Sequence, residues 1–498
     1  MMRYAVLLGA VLALVGVVPA TAGQVANNAT TGNWQPGPVN WGPCAQNPAD
    51  ASVRCGTVRV PVDWTTPDGA TMTIAVGEHL ASGTSLGPLV INPGGPGASG
   101  VQYAVAEPNW LSPDLLSHFD VIGFDPRGVG GSSPVQCSAS LLDNQPMPFP
   151  ATQADYTAFV AANASLGADC KAHTGPVFEH LDTWSVAHDI DAIRAALDVP
   201  QISYYGVSYG TLMGEEYAQL FPGRVRAMAL DSVMDHSLGT AAFLDTEAAA
   251  DQDSFNQFTQ WCDQSTSCAL HGQDVTALWD KLMSAADAGK LVDPTGAPLN
   301  WWGLAEGAEQ SFPQPNWAQL AQEIAGLSQE LSTGDKPAAR TSTKPADDAL
   351  EPYPLAVFCA DWSFPIHSDA QLQRYFAENE AFAPQLRTSA TGWVAAAFCD
   401  GWPGTVTHGQ QRLDVHTQTP MLVMNAVHDP QTPYSWALDV TGQLGADGRL
   451  VTYLGWGHRA YGRSDCTTGY VDNYLIGKDL PQRGATCAAV EPSAGGAQ

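Results

Sequence analysis

Short apolar segments alternate with amphipathic segments over the first half of the chain. Residues 88–95 and 119–128 are apolar runs that end in Gly/Pro turns, which is typical of buried strands. Residues 184–199 carry apolar side chains at helical spacing, and a further strand and helix follow at 201–206 and 211–221. Because such alternation builds a parallel sheet covered on both faces, the pattern predicts an α/β fold with a mostly parallel central sheet.

The alternation stops in the middle of the chain, where helix-like pieces such as 275–289 and 317–331 occur. It resumes with strands at 420–429 and 448–458. Ligands bind at the carboxyl ends of strands in such sheets, so we expect the middle segment to form a mainly helical cap over that edge. The chain accordingly divides into a signal peptide (1–22), a first core part (23–236), the cap (237–415), a second core part (416–490) and a flexible tail (491–498).

The first residues have the composition of a secretory signal peptide. Arg3 precedes an apolar run at 5–18, and Ala20-Thr21-Ala22 fits a small-residue cleavage site. A membrane-spanning helix needs about 20 apolar residues, so this run is too short, and no other stretch is long and apolar enough. We therefore expect a secreted protein that is cleaved near Ala22.

Charge and cysteine content narrow the partners and the compartment. The 498 residues have a formal net charge of −29, which argues against nucleic acid or a membrane surface as a partner. The ten cysteines include no CxxC pair, and in an oxidising compartment we expect them to form disulfides. Sequential pairing is the simplest expectation because each pair is then local: Cys44–Cys55, Cys137–Cys170, Cys262–Cys268, Cys359–Cys399 and Cys466–Cys487.

One serine has the surroundings of a nucleophile. Ser208 lies between Gly206 and Gly210, after a predicted strand and before a predicted helix. A nucleophile elbow requires this strand-turn-helix context, in which the glycines allow strand and helix to approach closely. The alternative is a Gly/Ser-rich loop without chemistry. The context favours Ser208 as the nucleophile of a serine hydrolase.

A serine nucleophile needs a general base that a third group orients. In α/β-hydrolases the acid and then the histidine follow the serine along the chain, and Asp429 and His458 end the last two predicted strands in that order. Asp231, at the end of the strand after the elbow helix, is the rival acid. We expect His428 to be structural.

The oxyanion of an acyl-transfer intermediate needs backbone N–H donors. We expect one from Tyr209, which follows the nucleophile, and one from Gly95 in the glycine-rich loop 92–97. No Lys-Ser/Thr pair or GxGxxG accompanies that loop, which argues against nucleotide binding.

Other candidate residues favour structural roles. No HExxH motif and no metal-ligand spacing occurs, so neither metal nor cofactor is predicted. Glu215 and Glu216 are expected on a solvated face or in a helix-packing contact. For Trp301, Trp302 and Trp317 we favour core packing.

Five ordered segments, which are 92–100, 125–137, 206–225, 428–433 and 457–466, together resemble the secreted tripeptidyl aminopeptidases. These are α/β-hydrolases of the prolyl-aminopeptidase-like serine peptidase group. The resemblance implies a triad of Ser208, Asp429 and His458, release of short peptides from a free N-terminus, and a helical cap that limits substrates to unblocked chain ends. The expected partner is therefore a peptide with a free N-terminus, bound by a monomer.

Two other functions stay open from the sequence. A secreted esterase or other acyl hydrolase could use the same triad, since the fold by itself does not select the bond. A non-catalytic binding protein that retains the fold is the third possibility.

Overall fold

The computed structural model describes residues 34–106, 108–293, 296–334 and 349–492. The predicted signal peptide and most of the predicted tail at 491–498 lie outside these residues. The described strands are β1 Val53–Pro61, β2 Thr71–His79, β3 Pro88–Asn92, β4 Asp120–Phe124, β5 Gln136–Ser138, β6 Ile202–Ser208, β7 Val225–Val233, β8 Leu350–Pro352, β9 Met421–His428, β10 Gly448–Trp456 and β11 Ala485–Cys487.

The α-helices fill the intervals between these strands. They are α1 Gly100–Val105, α2 Pro113–His118, α3 Ala139–Asp143, α4 Gln153–Thr174, α5 Thr183–Ala196, α6 Tyr209–Leu220, α7 Thr240–Gln264, α8 Val275–Asp287, α9 Trp301–Glu309, α10 Trp317–Thr333, α11 Leu355–Asp361, α12 Asp369–Phe382, α13 Ala390–Phe398, α14 Tyr434–Leu444 and α15 Asp465–Gly477. None of the described helices is long and apolar enough to cross a membrane.

Nine strands form one sheet in the order β1-β2-β4-β3-β6-β7-β9-β10-β11. Neighbours from β4 to β11 run parallel, and β1 and β2 are antiparallel additions at one edge. Strands β3, β6, β7 and β9 are buried along nearly their whole length, because helices cover both faces of the sheet. The predicted α/β fold with a mostly parallel sheet is confirmed.

The turn between β6 and α6 is shorter than the sequence predicted. The apolar pattern ended the strand at residue 206 and began the helix at 211, whereas β6 continues to Ser208 and α6 begins at Tyr209. The serine is therefore the last residue of the strand, and no loop separates it from the helix.

Helices α7 to α13 lie between β7 and β9 along the chain. Within this insertion β8 pairs with β5, and Asn163 of α4 donates to the carbonyl groups of Ala397 and Asp400, so earlier residues pack with the inserted helices. Trp302 and Trp317 are buried, and Trp301 packs edge-on against Phe149. These contacts are the packing role that we favoured for the tryptophans. The boundaries of the cap at residues 237 and 415 stay a prediction.

Five disulfides link the chain, and all five sequential pairs predicted above are present. Cys359–Cys399 and Cys262–Cys268 lie within the inserted segment, and the bond between Cys359 and Cys399 joins the end of α11 to the end of α13. Each bridge joins consecutive cysteines, 6 to 40 residues apart, in agreement with the simplest of the pairings that the sequence left open.

Candidate active site

Ser208 adopts an unusual backbone conformation at the carboxyl end of β6, with φ +56° and ψ −128°. The glycines on either side are sterically required. A Cβ on Gly206 would lie 2.4 Å from the carbonyl oxygen of Gly210, and a Cβ on Gly210 would lie 2.5 Å from the carbonyl oxygen of Asn92. A strained serine between two obligatory glycines is the geometry of a nucleophile elbow.

Asp429 and His458 follow β9 and β10, and the structure brings their side chains together. The Nδ1 atom of His458 lies 3.0 Å and 3.2 Å from the two carboxylate oxygens of Asp429. Asp429 is buried and also accepts hydrogen bonds from the backbone N–H of Gln431 and Thr432. Burial would raise the pKa of Asp429, but the His458 charge and these hydrogen bonds hold it below the usual value. The carboxylate therefore stays ionised and can orient the imidazole.

Asp231, the rival acid, has a different task. Its carboxylate accepts the backbone N–H of Ala460 and Tyr461 at 2.8 Å and the hydroxyl of Tyr205 at 2.9 Å. These bonds hold the main chain that follows His458 and do not reach its ring. Between the two acids that the sequence left open, the structure places Asp429 against the imidazole.

The described structure contains no hydrogen bond between Ser208 Oγ and His458, whose ring bonds to Asp429 and, through Nδ1, to Thr432. Hydrogen bonds between nucleophile and base are often long in unliganded hydrolases and shorten when substrate binds. The geometry joins acid to histidine directly and leaves the last contact to the substrate complex.

The loop after β3 lies directly on the elbow. Gly94 and Gly95 have φ of +93° and +109°, a region that favours glycine. A Cβ on Gly94 would lie 2.5 Å from the carbonyl oxygen of Val207 and 3.1 Å from the backbone nitrogen of Tyr209. Gly95, Tyr209 and Ser208 all line one cavity. The two residues predicted to supply oxyanion donors therefore lie at the same cavity as the serine.

This cavity, which we call the Ser208 cavity, has a volume of about 410 Å³. Much of its wall is apolar, and it is formed by Met234, Phe243, Leu355, Phe358, Val394 and Ala395. The rest of the wall includes acidic side chains from α7 and α9. A larger cavity of about 840 Å³ lies between α8, α9 and α10, and its lining includes none of the predicted site residues.

Four carboxylates line the Ser208 cavity. Glu306 is exposed, and the other three, Glu247, Asp251 and Glu309, form what we call the carboxylate cluster. All three are buried. Glu247 accepts a hydrogen bond from Ser389 Oγ at 3.2 Å, and Glu309 accepts the backbone N–H of Ala390 at 2.8 Å, at the start of α13. Within the part of the chain that the structure describes, no lysine or arginine forms an ion pair with the cluster.

The cluster brings several acidic groups together in a buried environment without a paired lysine or arginine among the described residues. Burial raises the pKa of Glu247, Asp251 and Glu309 well above the usual value for carboxyl groups. Repulsion from Asp251 raises the pKa of Glu247 and of Glu309 further, and the charge of nearby Asp429 does the same for Glu247 and Asp251. Buried acids without a cationic partner are costly to the fold, so the cluster is a site where a cation would be stabilised.

Sequence reasoning did not find the cluster. Glu247 and Asp251 lie four residues apart, on one face of α7, and an acidic pair on an otherwise apolar helix face is a weak signal that could have been noticed. Glu309 belongs to α9 and joins the pair only through packing of the insertion. Its participation had no local signature.

Of the two roles expected for Glu215 and Glu216, the structure has the packing contact and not the solvated face. Glu215 and Glu216 are buried and do not lie on a solvated face, because α6 packs inside the molecule against β6 and α5. Burial raises the pKa of Glu216 to about 7 and that of Glu215 well above its usual value. The Nδ1 atom of His428 lies 2.6 Å from a carboxylate oxygen of Asp253, and the ring stacks on Trp456, in keeping with the structural role expected for it.

Comparison with known proteins agrees with this geometry. A family model described as the α/β-hydrolase fold matches residues 87–462. The chain is 32% identical to the serine protease Hip1 of Mycobacterium tuberculosis, over 97% of both chains. It is 31% identical to carboxylesterase B of the same organism, over 90% of both chains. It is 30% identical to the tripeptidyl aminopeptidase of Streptomyces coelicolor, over 90% of this chain and 86% of that one.

The fold, the elbow and these relatives lead to one classification. Residues 206–210 lie within the matched residues, and the backbone at Ser208 has the geometry of an elbow. The chain belongs to the α/β-hydrolase family, in the group that contains Hip1 and the Streptomyces tripeptidyl aminopeptidases, and it is a serine hydrolase.

Proposed function

We propose that this serine hydrolase is an aminopeptidase that removes short peptides, such as tripeptides, from the free N-terminus of a peptide substrate. The observation that carries the proposal is the carboxylate cluster in the wall of the Ser208 cavity. Its carboxyl groups can ionise against a cation that binds in this cavity, such as the N-terminal ammonium of a peptide.

The cluster matches the chemistry of an α-ammonium group. A cation that enters a closed site loses its hydration and is stabilised only by opposite charge. An incoming ammonium would favour the ionised forms of Glu247, Asp251 and Glu309 and so offset the repulsion that raises their pKa. A neutral acyl group would leave the buried acids without a partner, which favours a peptidase over an esterase.

The size of the cavity supports a short acyl portion. A volume of about 410 Å³ falls within the range of roughly 300–1,000 Å³ for small-molecule sites. With the ammonium held by the cluster and the scissile carbonyl at Ser208, the apolar wall would contact the side chains between them. The name of the Streptomyces relative supports three residues as the length that is released.

In the proposed reaction, Ser208 Oγ attacks the scissile carbonyl carbon while His458 accepts the hydroxyl proton. The carbonyl oxygen becomes the oxyanion, which the N–H groups of Gly95 and Tyr209 stabilise. His458 then protonates the leaving amine, and an acyl-enzyme remains on Ser208. Water, deprotonated by His458, hydrolyses the ester and releases the short peptide. Asp429 holds the imidazole and stabilises its protonated form.

The cellular setting is part of the same proposal. Five disulfides support an oxidising environment, and the predicted signal peptide supports secretion. The monomeric state stays a prediction. Neither nucleic acid nor a membrane is proposed as a partner, in line with the net charge of −29.

The first test compares a tripeptide chromogenic amide that has a free N-terminus with its N-acetylated twin. We expect the free form to release the intact tripeptide and the acetylated form to react at least about 30-fold more slowly, because acetylation removes the charge that the cluster binds. Ser208→Ala should lower both rates by about 10⁴-fold or more. Equal cleavage of both substrates would contradict the aminopeptidase proposal.

A second comparison assigns the selectivity to the cluster. Glu247→Gln should raise KM for the free-amine substrate while leaving hydrolysis of a neutral acyl ester unchanged. Glu380→Gln, which changes an exposed acid on α12, is the matched control and should alter neither reaction. If Glu247→Gln left the free-amine KM at the wild-type value, the ammonium site would lie elsewhere.

An esterase is the second candidate, supported by the similarity to carboxylesterase B and by the apolar part of the cavity wall. Faster hydrolysis of a neutral acyl ester than of the free-amine peptide amide, with no effect of Glu247→Gln on either, is the result expected for an esterase.

A further inference from the structure

One segment of the inserted helices contacts both parts of the proposed oxyanion site, the glycine-rich loop and Tyr209. Residues 354–361 begin at Pro354 and run through α11 to Asp361. A Cβ on Gly97 would lie 2.3 Å from Cβ of Pro354, so the segment presses on the glycine-rich loop. At its other end, Asp361 accepts a hydrogen bond from the side-chain hydroxyl of Tyr209.

Asp361 accepts several hydrogen bonds in the interior of the protein, where a buried charge is costly. It is completely buried and accepts the backbone N–H and the hydroxyl of Thr183, both at 2.6 Å, at the first turn of α5. Its own carbonyl oxygen lies 3.0 Å from Nε2 of His236. Burial raises the pKa of Asp361 to about 7, so keeping an acid here carries a free-energy cost.

Tyr209 is the residue through which Asp361 could affect the reaction. Its ring is buried next to Phe358 of α11, and its backbone N–H is the first of α6, directly after Ser208. The hydroxyl is the one polar atom of the side chain, and it donates its hydrogen bond to Asp361. Fixing the ring at its far end limits rotation of the residue that carries the oxyanion donor.

We propose that Asp361 is a positioning residue of the oxyanion site, which it aligns by holding the hydroxyl of Tyr209. This inference rests on the proposed roles of Ser208 and of the Tyr209 N–H, but it is independent of the bond that the enzyme hydrolyses. The disulfide Cys359–Cys399 fixes the same segment to α13, at whose first turn Glu309 accepts a backbone N–H. One inserted segment thereby connects the carboxylate cluster with the oxyanion site.

The test uses Tyr209→Phe, which removes the hydroxyl and keeps both the ring and the backbone N–H. We expect kcat to fall by about 10- to 100-fold, less than the 10²–10³-fold loss when an oxyanion donor is deleted, with KM unchanged within about 2-fold. Affinity for a peptide aldehyde, whose carbonyl oxygen becomes an oxyanion when Ser208 Oγ adds to it, should fall by the same factor as kcat. Affinity for the product tripeptide, which forms no oxyanion, should stay at the wild-type value.

Tyr156→Phe is the matched control, since it also removes a buried tyrosine hydroxyl that donates to an aspartate. Here Tyr156 belongs to α4 and its acceptor, Asp400, to the inserted segment. A loss caused only by weaker folding would appear in both variants as reduced unfolding temperature with normal kcat for the folded fraction. That result for Tyr209→Phe would overturn the inference.

Asp361→Asn and the double variant complete the design. If the carboxylate acts through Tyr209, the double variant should lose no more kcat than the worse single variant, whereas multiplication of the two losses would overturn the inference. The failure of the proposed function looks different. Wild-type activity of Ser208→Ala would show that Ser208 is not the nucleophile. Equal cleavage of free and acetylated peptides would instead change the substrate class, and the effect of Tyr209→Phe on kcat could then be measured with an acyl ester.

Discussion

At the scale of single residues, the elbow shows why glycine is used where it is. Ser208 is held at positive φ, and no side chain fits at the flanking positions. At Gly206 the backbone of α6 lies too close, and at Gly210 the backbone of β3 does. The motif could be predicted from the sequence because its steric demand is local. The choice between Asp231 and Asp429 could not, since both end neighbouring strands and only the position of the imidazole separates them.

The elbow glycines lead to a stability prediction. Gly206→Ala would place a Cβ 2.4 Å from the carbonyl oxygen of Gly210, and we expect it to lower the free energy of unfolding by about 1–3 kcal/mol, as overpacking of a core does. Denaturant titration measures the change. Gly442→Ala in α14, where no atom lies within 4 Å of the new Cβ, is the control and should be neutral or stabilising. Equal effects of the two changes would contradict the steric explanation.

At the scale of elements, the acids of the carboxylate cluster come from the inserted helices and not from the strands of the sheet. Helix α7 contributes two members of the carboxylate cluster, α9 contributes the third, and the start of α13 covers it with a backbone N–H. The helices themselves follow from apolar spacing in the sequence. Their contacts with one another depend on packing between surfaces that are distant along the chain. Local sequence patterns therefore did not predict the cluster.

The cluster predicts how stability varies with pH. Its carboxyls have raised pKa values in the folded protein, so above the ordinary carboxyl pKa of about 4.3 the folded state holds protons that the unfolded state has released. The free energy of unfolding therefore decreases as pH rises through this window. Glu247→Gln removes one of these groups, and its unfolding midpoint should exceed that of the wild type by a margin that grows with pH.

Thermal unfolding between pH 5 and pH 9 measures that margin, which we expect to reach about 2 °C or more. The exposed acid changed in Glu380→Gln should show no such trend. A constant difference between Glu247→Gln and wild type across this range would mean that the buried carboxyls do not have raised pKa values. If Glu247→Gln gains stability and loses selectivity for free-amine substrates, the cluster is retained for substrate binding at a cost in stability.

At the scale of the whole molecule, the disulfides close loops of very different length. Cys359 and Cys399 are 40 residues apart, whereas Cys262 and Cys268 are 6 residues apart. The loop-entropy model gives about 4 kcal/mol of stabilisation for the longer loop and about 2 kcal/mol for the shorter one. We expect Cys359→Ala/Cys399→Ala to destabilise the protein more than Cys262→Ala/Cys268→Ala, as measured by chemical denaturation. The reverse order would indicate that native-state contacts, not loop closure, dominate.

The sequence by itself determined the α/β class and the elbow at Ser208, and the cysteine spacing favoured the five disulfide pairs that the structure has. It could do so because residue periodicity, the steric needs of one turn and short spacings between cysteines are local properties. Tertiary structure alone decided that Asp429 and not Asp231 faces His458, that three acids meet in one wall, and that Asp361 reaches Tyr209. These contacts join residues far apart in the chain, and their geometry depends on how whole elements pack, which no short stretch of sequence encodes.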